Sequence, residues 1–181
     1  MARIPVHSVA DAPAAAKDLL AGLQAKLGKV MNIHGEMAHS PVVLAAYAGL
    51  QAAIAEHGTF DARTREAIAL AVGAVDNCGY CQAAHTLSGT AAGLTVDQTV
   101  AIRAGRADFD AKLAALLALA RQITRDIGEV DEQSWQDALA AGWSSEELTE
   151  LFVHVAVNLY TNYFNHYAQT DLDVPAAPAL S

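Results

Sequence analysis

The sequence predicts an all-α protein, an irregular helical bundle, and three observations carry that prediction. Ala, Leu, Glu and Gln dominate at helical spacing. Val, Ile and Thr nowhere alternate with polar residues as a half-buried strand requires, and capping residues precede one apolar-periodic run after another. With 181 residues, 53% of them hydrophobic and 17% charged, the chain is long enough for a real core and short enough to stay undivided. A single domain over 1–181 is expected, with its core at about 40–170 and a tail at 171–181.

The first helix is expected from about Ala12 to Leu27, apolar at Leu19, Leu20, Leu23 and Leu27, with Gly28 as its stop. Met31 to His39 reads as a loop. Ser40 then caps and Pro41 opens a second helix, ending near His57 and Gly58. Asp61 caps a third, whose apolar face includes Ile68, Leu70, Val72 and Val75. Asp76-Asn77 is a break before a fourth, which begins at or near Cys78 and runs toward Gly93. Thr95 starts a short helix that stops at Gly105, and Asp108 or Asp110 starts one carrying Leu113, Leu116, Leu117, Leu119 and Ile123. Asp131 caps another short helix to Ala140. Ser144 with Glu147 forms a capping box for the last, from Ser145 to about Ala168. The tail from Asp171 holds two prolines and is expected to be mobile or draped over a neighbour.

Eleven Lys and Arg against twenty Asp and Glu give a net charge of −9, a field that repels phosphate backbones and anionic lipid. Nucleic-acid and membrane partners are therefore not expected. The first residues show no secretory signal and the apolar runs are too short to span a bilayer, which makes a cytoplasmic location the expectation.

Both cysteines lie in one tetrapeptide, Cys78-Gly79-Tyr80-Cys81. A staple so short would tie down almost no loop, so the pair points to metal or redox chemistry. On a helix, Cys78, Cys81 and His85 share one stripe, and a helix N-terminus favours thiolate over thiol. Glu66 stands alone inside the apolar segment EAIALAVGAV, placed to face that stripe across a helical hairpin. Acid, imidazole and thiol are the parts that general-base activation of a nucleophile requires. Zinc would find Cys78, Cys81 and His85 but no fourth ligand at suitable spacing, and two cysteines packed as small hydrophobes are the bland alternative. Taken singly, Glu66 reads as a solvated helix residue and His85 as a satisfied histidine; only their offsets from the cysteines raise them.

The stretch REAIALAVGAVDNCGYCQAAHT, residues 65 to 86, resembles the active-site signature of the alkylhydroperoxidase D and carboxymuconolactone decarboxylase superfamily: Glu, eleven residues, then CxxCxxxH. YTNYFNHYAQTDLDVP, residues 160 to 175, is similar to the C-terminal segment of its peroxidase-like branch. The resemblance implies an all-helical subunit that assembles into trimers or hexamers and reduces peroxides with no haem, metal or other cofactor beyond a redox-active disulfide. It implies Cys81 as the peroxidatic thiolate, Cys78 as the resolving thiol, Glu66 as the general base and His85 as the proton relay. The Cys78–Cys81 disulfide would be reduced by a partner dithiol, lipoyl-bearing or thioredoxin-like. A disulfide reductase or electron relay, and a non-catalytic redox sensor, are the alternatives.

Two positions depart from the fullest family pattern, Thr64 where a second acid stands and Tyr80 where a histidine stands inside the CxxC. The shorter relay bears on peroxidase efficiency. The intact cysteine pair argues against lactone decarboxylation. His34, His39, His57 and His154 are read as structural, His166 as packing near a site or subunit boundary, and Tyr160, Tyr163, Phe164 and Tyr167 as core or interface. Trp135 and Trp143 read as packing anchors.

Overall fold

The structure, a computed structural model, describes residues 2–180. Among these, nine helices follow one another and no strand forms: α1 Ala14–Leu27, α2 Asn32–Met37, α3 Pro41–His57, α4 Ala62–Val75, α5 Gly79–Ala91, α6 Val96–Arg103, α7 Ala111–Arg125, α8 Glu132–Ala140 and α9 Ser145–Ala168. None is long and apolar enough to cross a membrane.

Caps explain most boundaries. Asp61, Asp110 and Asp131 each accept from the backbone N–H three residues on, which selects Asp110 over Asp108 as the start of α7. Thr95 with Gln98 and Ser144 with Glu147 form reciprocal capping boxes. Ser40 precedes α3 without a side-chain cap bond, so Pro41 at the first position carries that start. Pro13 stands outside α1, which therefore opens two residues later than the apolar pattern suggests, and Gly28 ends it in the left-handed region at φ 79°.

The loop expected over Met31–His39 is corrected, because Asn32–Met37 is helical. Intrinsic propensity there is poor, but Ile33 and Met37, one turn apart, both bury in the same cluster as Leu20 and Leu44. Gly35 is needed for a close approach: a Cβ at this position would lie 2.4 Å from Val6 Cγ1 and 2.6 Å from the His7 carbonyl oxygen.

Two apolar clusters form. The larger joins Ile68, Leu70 and Val72 of α4 to Leu113, Leu116, Leu117 and Leu119 of α7 and Leu148, Leu151 and Val155 of α9, closed by Phe60 and Trp143. Trp143 anchors it as read, its indole N–H donating to the Lys112 carbonyl at 2.7 Å. The smaller gathers Ala16 and Leu20 of α1, Ile33 and Met37 of α2, Leu44 of α3, and Cys78, Tyr80 and Cys81.

The tail, expected to be mobile or draped over a neighbour, makes polar contacts to its own chain. Asp173 accepts from the Tyr80 hydroxyl at 2.6 Å and from the Asn32 backbone N–H at 3.2 Å, and it pairs with Lys29 at 3.0 Å. Arg103 donates to the Pro178 carbonyl at 2.8 Å. These polar contacts come from residues far away in sequence, so local tail composition carries no sign of them.

Candidate active site

The site is built on the turn between α4 and α5. Asn77 sits in the left-handed region at φ 53°, a conformation that asparagine tolerates better than most residues. The Cys78 N–H reaches back to the Gly73 carbonyl at 2.9 Å, so α4 ends and α5 begins with almost no linker. Cys78 is thereby the N-cap of α5, and its Sγ accepts from the Cys81 N–H at 3.2 Å. Further along, Gly89 of α5 lies against Glu66 of α4. A Cβ there would meet Glu66 Cβ at 3.7 Å and Leu94 Cδ1 at 3.2 Å, and this close packing sets the carboxylate across from His85.

The residues singled out from sequence converge. His85 Nδ1 and Glu66 Oε2 lie 2.8 Å apart, with side chains 28% and 23% exposed. Burial opposes charge on His85, but the Glu66 carboxylate overrides it through its field and hydrogen bond, and the net pKa is raised. The dyad thus favours the protonated imidazole more than a free histidine does. Cys78 and Cys81 are not bonded to each other in the structure and are buried, 1% and 3% exposed.

Charge and access fall on different sulfurs. Cys78 is lowered to about 7, first because the Cys81 thiol donates to it and further because the Cys81 N–H does the same, with His166 adding its field. Cys81 is pushed up by that same donation, then by burial and by the charge on Cys78. The pair's first proton therefore leaves from Cys78. Cys81, however, and not Cys78, lines the space of about 280 Å³ walled by Met31, Ile33, His34, Tyr47, Tyr80 and His85 among others. The ground-state thiolate is thus not on the sulfur that the family resemblance makes peroxidatic.

Several contributors escaped the sequence reading. The Asn165 side-chain amide donates to Cys81 Sγ at 3.1 Å and lies 3.9 Å from Cys78 Sγ, bridging the two sulfurs. Its signal was a spacing: Asn158, Asn162 and Asn165 recur on the buried side of α9, where polar residues need a reason. His34, read as structural, lines the Cys81 cavity with a buried Nδ1 that has no hydrogen-bond partner; burial lowers its pKa to about 4 and so keeps it neutral. His166 approaches the site as read, its Nε2 donating to the Asp76 carbonyl at 2.9 Å.

The remaining residues fall as follows. His154 is structural, bonded to Glu150 at 2.9 Å, and His39 bonds the Pro5 carbonyl at 2.7 Å. Tyr160 packs inward, its hydroxyl donating to the Val43 carbonyl at 2.8 Å, whereas Tyr163 and Tyr167 face outward. Tyr80, in the place of the family histidine, turns to the tail through Asp173 and adds no proton relay. Thr64 belongs to the cap of α4, where its N–H donates to Asp61 at 2.7 Å.

A helical hairpin presenting a dithiol at a helix N-terminus, with an acid–imidazole dyad beside it, defines a dithiol protein of the alkylhydroperoxidase D-like fold. Solved structures share that fold. They include an AhpD-core, peroxidase-related protein from Ralstonia eutropha JMP134, 24% identical over 95% of this chain and 92% of that one, with a TM-score of 0.83. A peroxidase-related protein from Silicibacter sp. TM1040 is 19% identical over 99% and 96%, TM-score 0.80. The debrominase Bmp8, as a cysteine-to-alanine variant in complex with 2,3,4-tribromopyrrole, is 19% identical over 94% and 91%, TM-score 0.80.

Residues 41–122, which contain Glu66, Cys78, Cys81 and His85, match the carboxymuconolactone decarboxylase family, so the resemblance read from residues 65–86 holds. Comparison with curated proteins finds no match.

Proposed function

We propose that this protein is a thiol-dependent peroxidase acting on hydrogen peroxide or organic hydroperoxides through Cys81 and Cys78, in the cytoplasm and as a homo-oligomer. The observation that carries the reading is the Glu66–His85 contact of 2.8 Å beside a cavity whose wall includes both His85 and Cys81. In the first step the Cys81 proton passes to the Cys78 thiolate. The Cys81 thiolate then attacks the terminal peroxide oxygen, the O–O bond breaks, and the leaving alkoxide takes the proton held on His85.

Cys81 is now a sulfenic acid, oxidised by two electrons, and the peroxide has been reduced to the alcohol. The Cys78 thiol attacks Cys81 Sγ, forming the disulfide, and its proton leaves with the hydroxyl as water. Glu66 is the base that draws a replacement proton from solvent onto His85. A partner dithiol, lipoyl-bearing or thioredoxin-like, returns the two electrons.

The test is peroxide consumption by reduced protein, with two thiols lost per turnover. Cys81→Ser is expected to abolish it, and Cys78→Ser to stop at the sulfenic acid after one equivalent. Equal, slow consumption by all three proteins would overturn the assignment. Presenting a disulfide or 2,3,4-tribromopyrrole in place of the hydroperoxide separates it from a disulfide relay and from a debrominase, since a peroxidase prefers the hydroperoxide.

A further inference from the structure

A second cavity, of about 300 Å³, lies on the Glu66 side of the dyad. Tyr47, His85 and Thr161 line both it and the Cys81 cavity, so the two spaces adjoin at these side chains. Its character is different, because two cations line it, Lys26 from the last turn of α1 and Arg65 from the first half of α4.

Cations without a partner are scarce in this chain. Of its eleven Lys and Arg side chains, eight hydrogen-bond, pair with a carboxylate or stack on a ring. The other three, Lys26, Arg65 and Arg106, have no hydrogen bond or ion pair with a described residue, and two of those three line this one cavity. The carboxylate in the same wall, Glu66, is already engaged by His85. Half-buried Arg65 feels the Asp61 carboxylate one turn away only through its field and makes no hydrogen bond with its donor fork, and a guanidinium fork matches a carboxylate in shape and charge. Lys26, more exposed, adds field at the mouth.

We propose that this cavity is a carboxylate-binding subsite and that the preferred substrate is an organic hydroperoxide bearing a carboxylate. Arg65 grips the anion and Lys26 attracts it, the apolar body lies along Tyr47, and the peroxide end reaches Cys81 past His85. The substrate assignment rests on the peroxidase reading; the binding of the anion does not.

The matched probes are cumene hydroperoxide and its para-carboxylate for turnover, and 4-isopropylbenzoate and its neutral amide for calorimetric binding to the reduced full-length protein. Wild type is expected to favour the carboxylate in kcat/KM. Arg65→Gln should cut that preference about tenfold to a hundredfold, Lys26→Gln about twofold to fivefold, and Arg65→Lys should restore part of it. 4-Isopropylbenzoate should bind more tightly than its amide, with the difference lost in Arg65→Gln.

Equal binding of acid and amide, or an acid preference that Arg65→Gln leaves intact, overturns the subsite. Arg65-dependent binding of the acid with no Arg65 effect on the turnover ratio overturns the substrate assignment, because the anion would then be a separate molecule. Arg65-dependent binding in a protein that turns over no peroxide supports the subsite and overturns the peroxidase reading. Because Lys26 is exposed, its variant keeps the test open should Arg65→Gln fold poorly.

Discussion

The two apolar clusters of this molecule are built on opposite rules. The larger one is filled with leucines from α4, α7 and α9, and its polar neighbours are paired, as His154 is with Glu150. The smaller one holds two thiols and Tyr80, and the cavity beside Cys81 is lined by two residues with a buried polar atom that has no hydrogen-bond partner among the described residues, His34 through Nδ1 and Asn165 through Oδ1. Unpaired buried polar groups cost stability, so keeping two of them in the wall of the Cys81 cavity gives up stability at the candidate site. The contrast teaches that α4 is the hinge of the design. One face secures the leucine core and the other holds Glu66 against His85.

The largest effect that separates the clusters is Cys81→Ser, which is expected to lower peroxide turnover by at least about a thousandfold while leaving the urea midpoint nearly unchanged. Leu116→Ala should do the reverse, costing about 2–5 kcal/mol in urea unfolding with turnover per folded molecule preserved. If Leu116→Ala abolished turnover in protein that is still folded, the division between the two clusters would fail.

Glu66→Gln comes next, with an expected loss of about a hundredfold in kcat/KM. Its pH signature has a definite sign. Since the His85 pKa is raised, the ion pair's contribution to stability is fully present below the ordinary histidine value of 6.5 and is lost as pH rises through the folded value. The stability gap between wild type and Glu66→Gln should therefore narrow toward alkaline pH in urea titrations at several pH values. The Cys78 thiolate acts in the opposite sense: its contribution is complete above the ordinary thiol value of 9.0 and is lost as pH falls through about 7.

Smaller effects probe the edges of the site. Tyr80→Phe removes the donor to Asp173 and should cost about 1–2 kcal/mol, read as faster proteolysis of the tail. Asn77→Ala, in the left-handed turn that feeds α5, should cost about 1 kcal/mol in thermal unfolding.

Much of this was legible in the sequence, because caps and helical periodicity are local and the acid, dithiol and imidazole sit at fixed offsets along two adjacent helices. What escaped detection is non-local. Asn165 reaches the sulfurs from α9, 84 residues away from Cys81. The tail is fixed by Lys29, Asn32 and Tyr80, and α2 is helical only because Ile33 and Met37 bury. The split between the charged and the accessible sulfur was also hidden, since it depends on which thiol donates to which and on where the cavity lies.

The most direct measurement is to treat reduced Cys78→Ser and reduced Cys81→Ser proteins with one equivalent of hydroperoxide in the presence of dimedone, and to map the adduct by peptide mass spectrometry. The expected result is an adduct on Cys81 in the first protein and none in the second. An adduct on Cys78 alone, or on neither, would contradict the assignment of Cys81 as the sulfur that meets the peroxide.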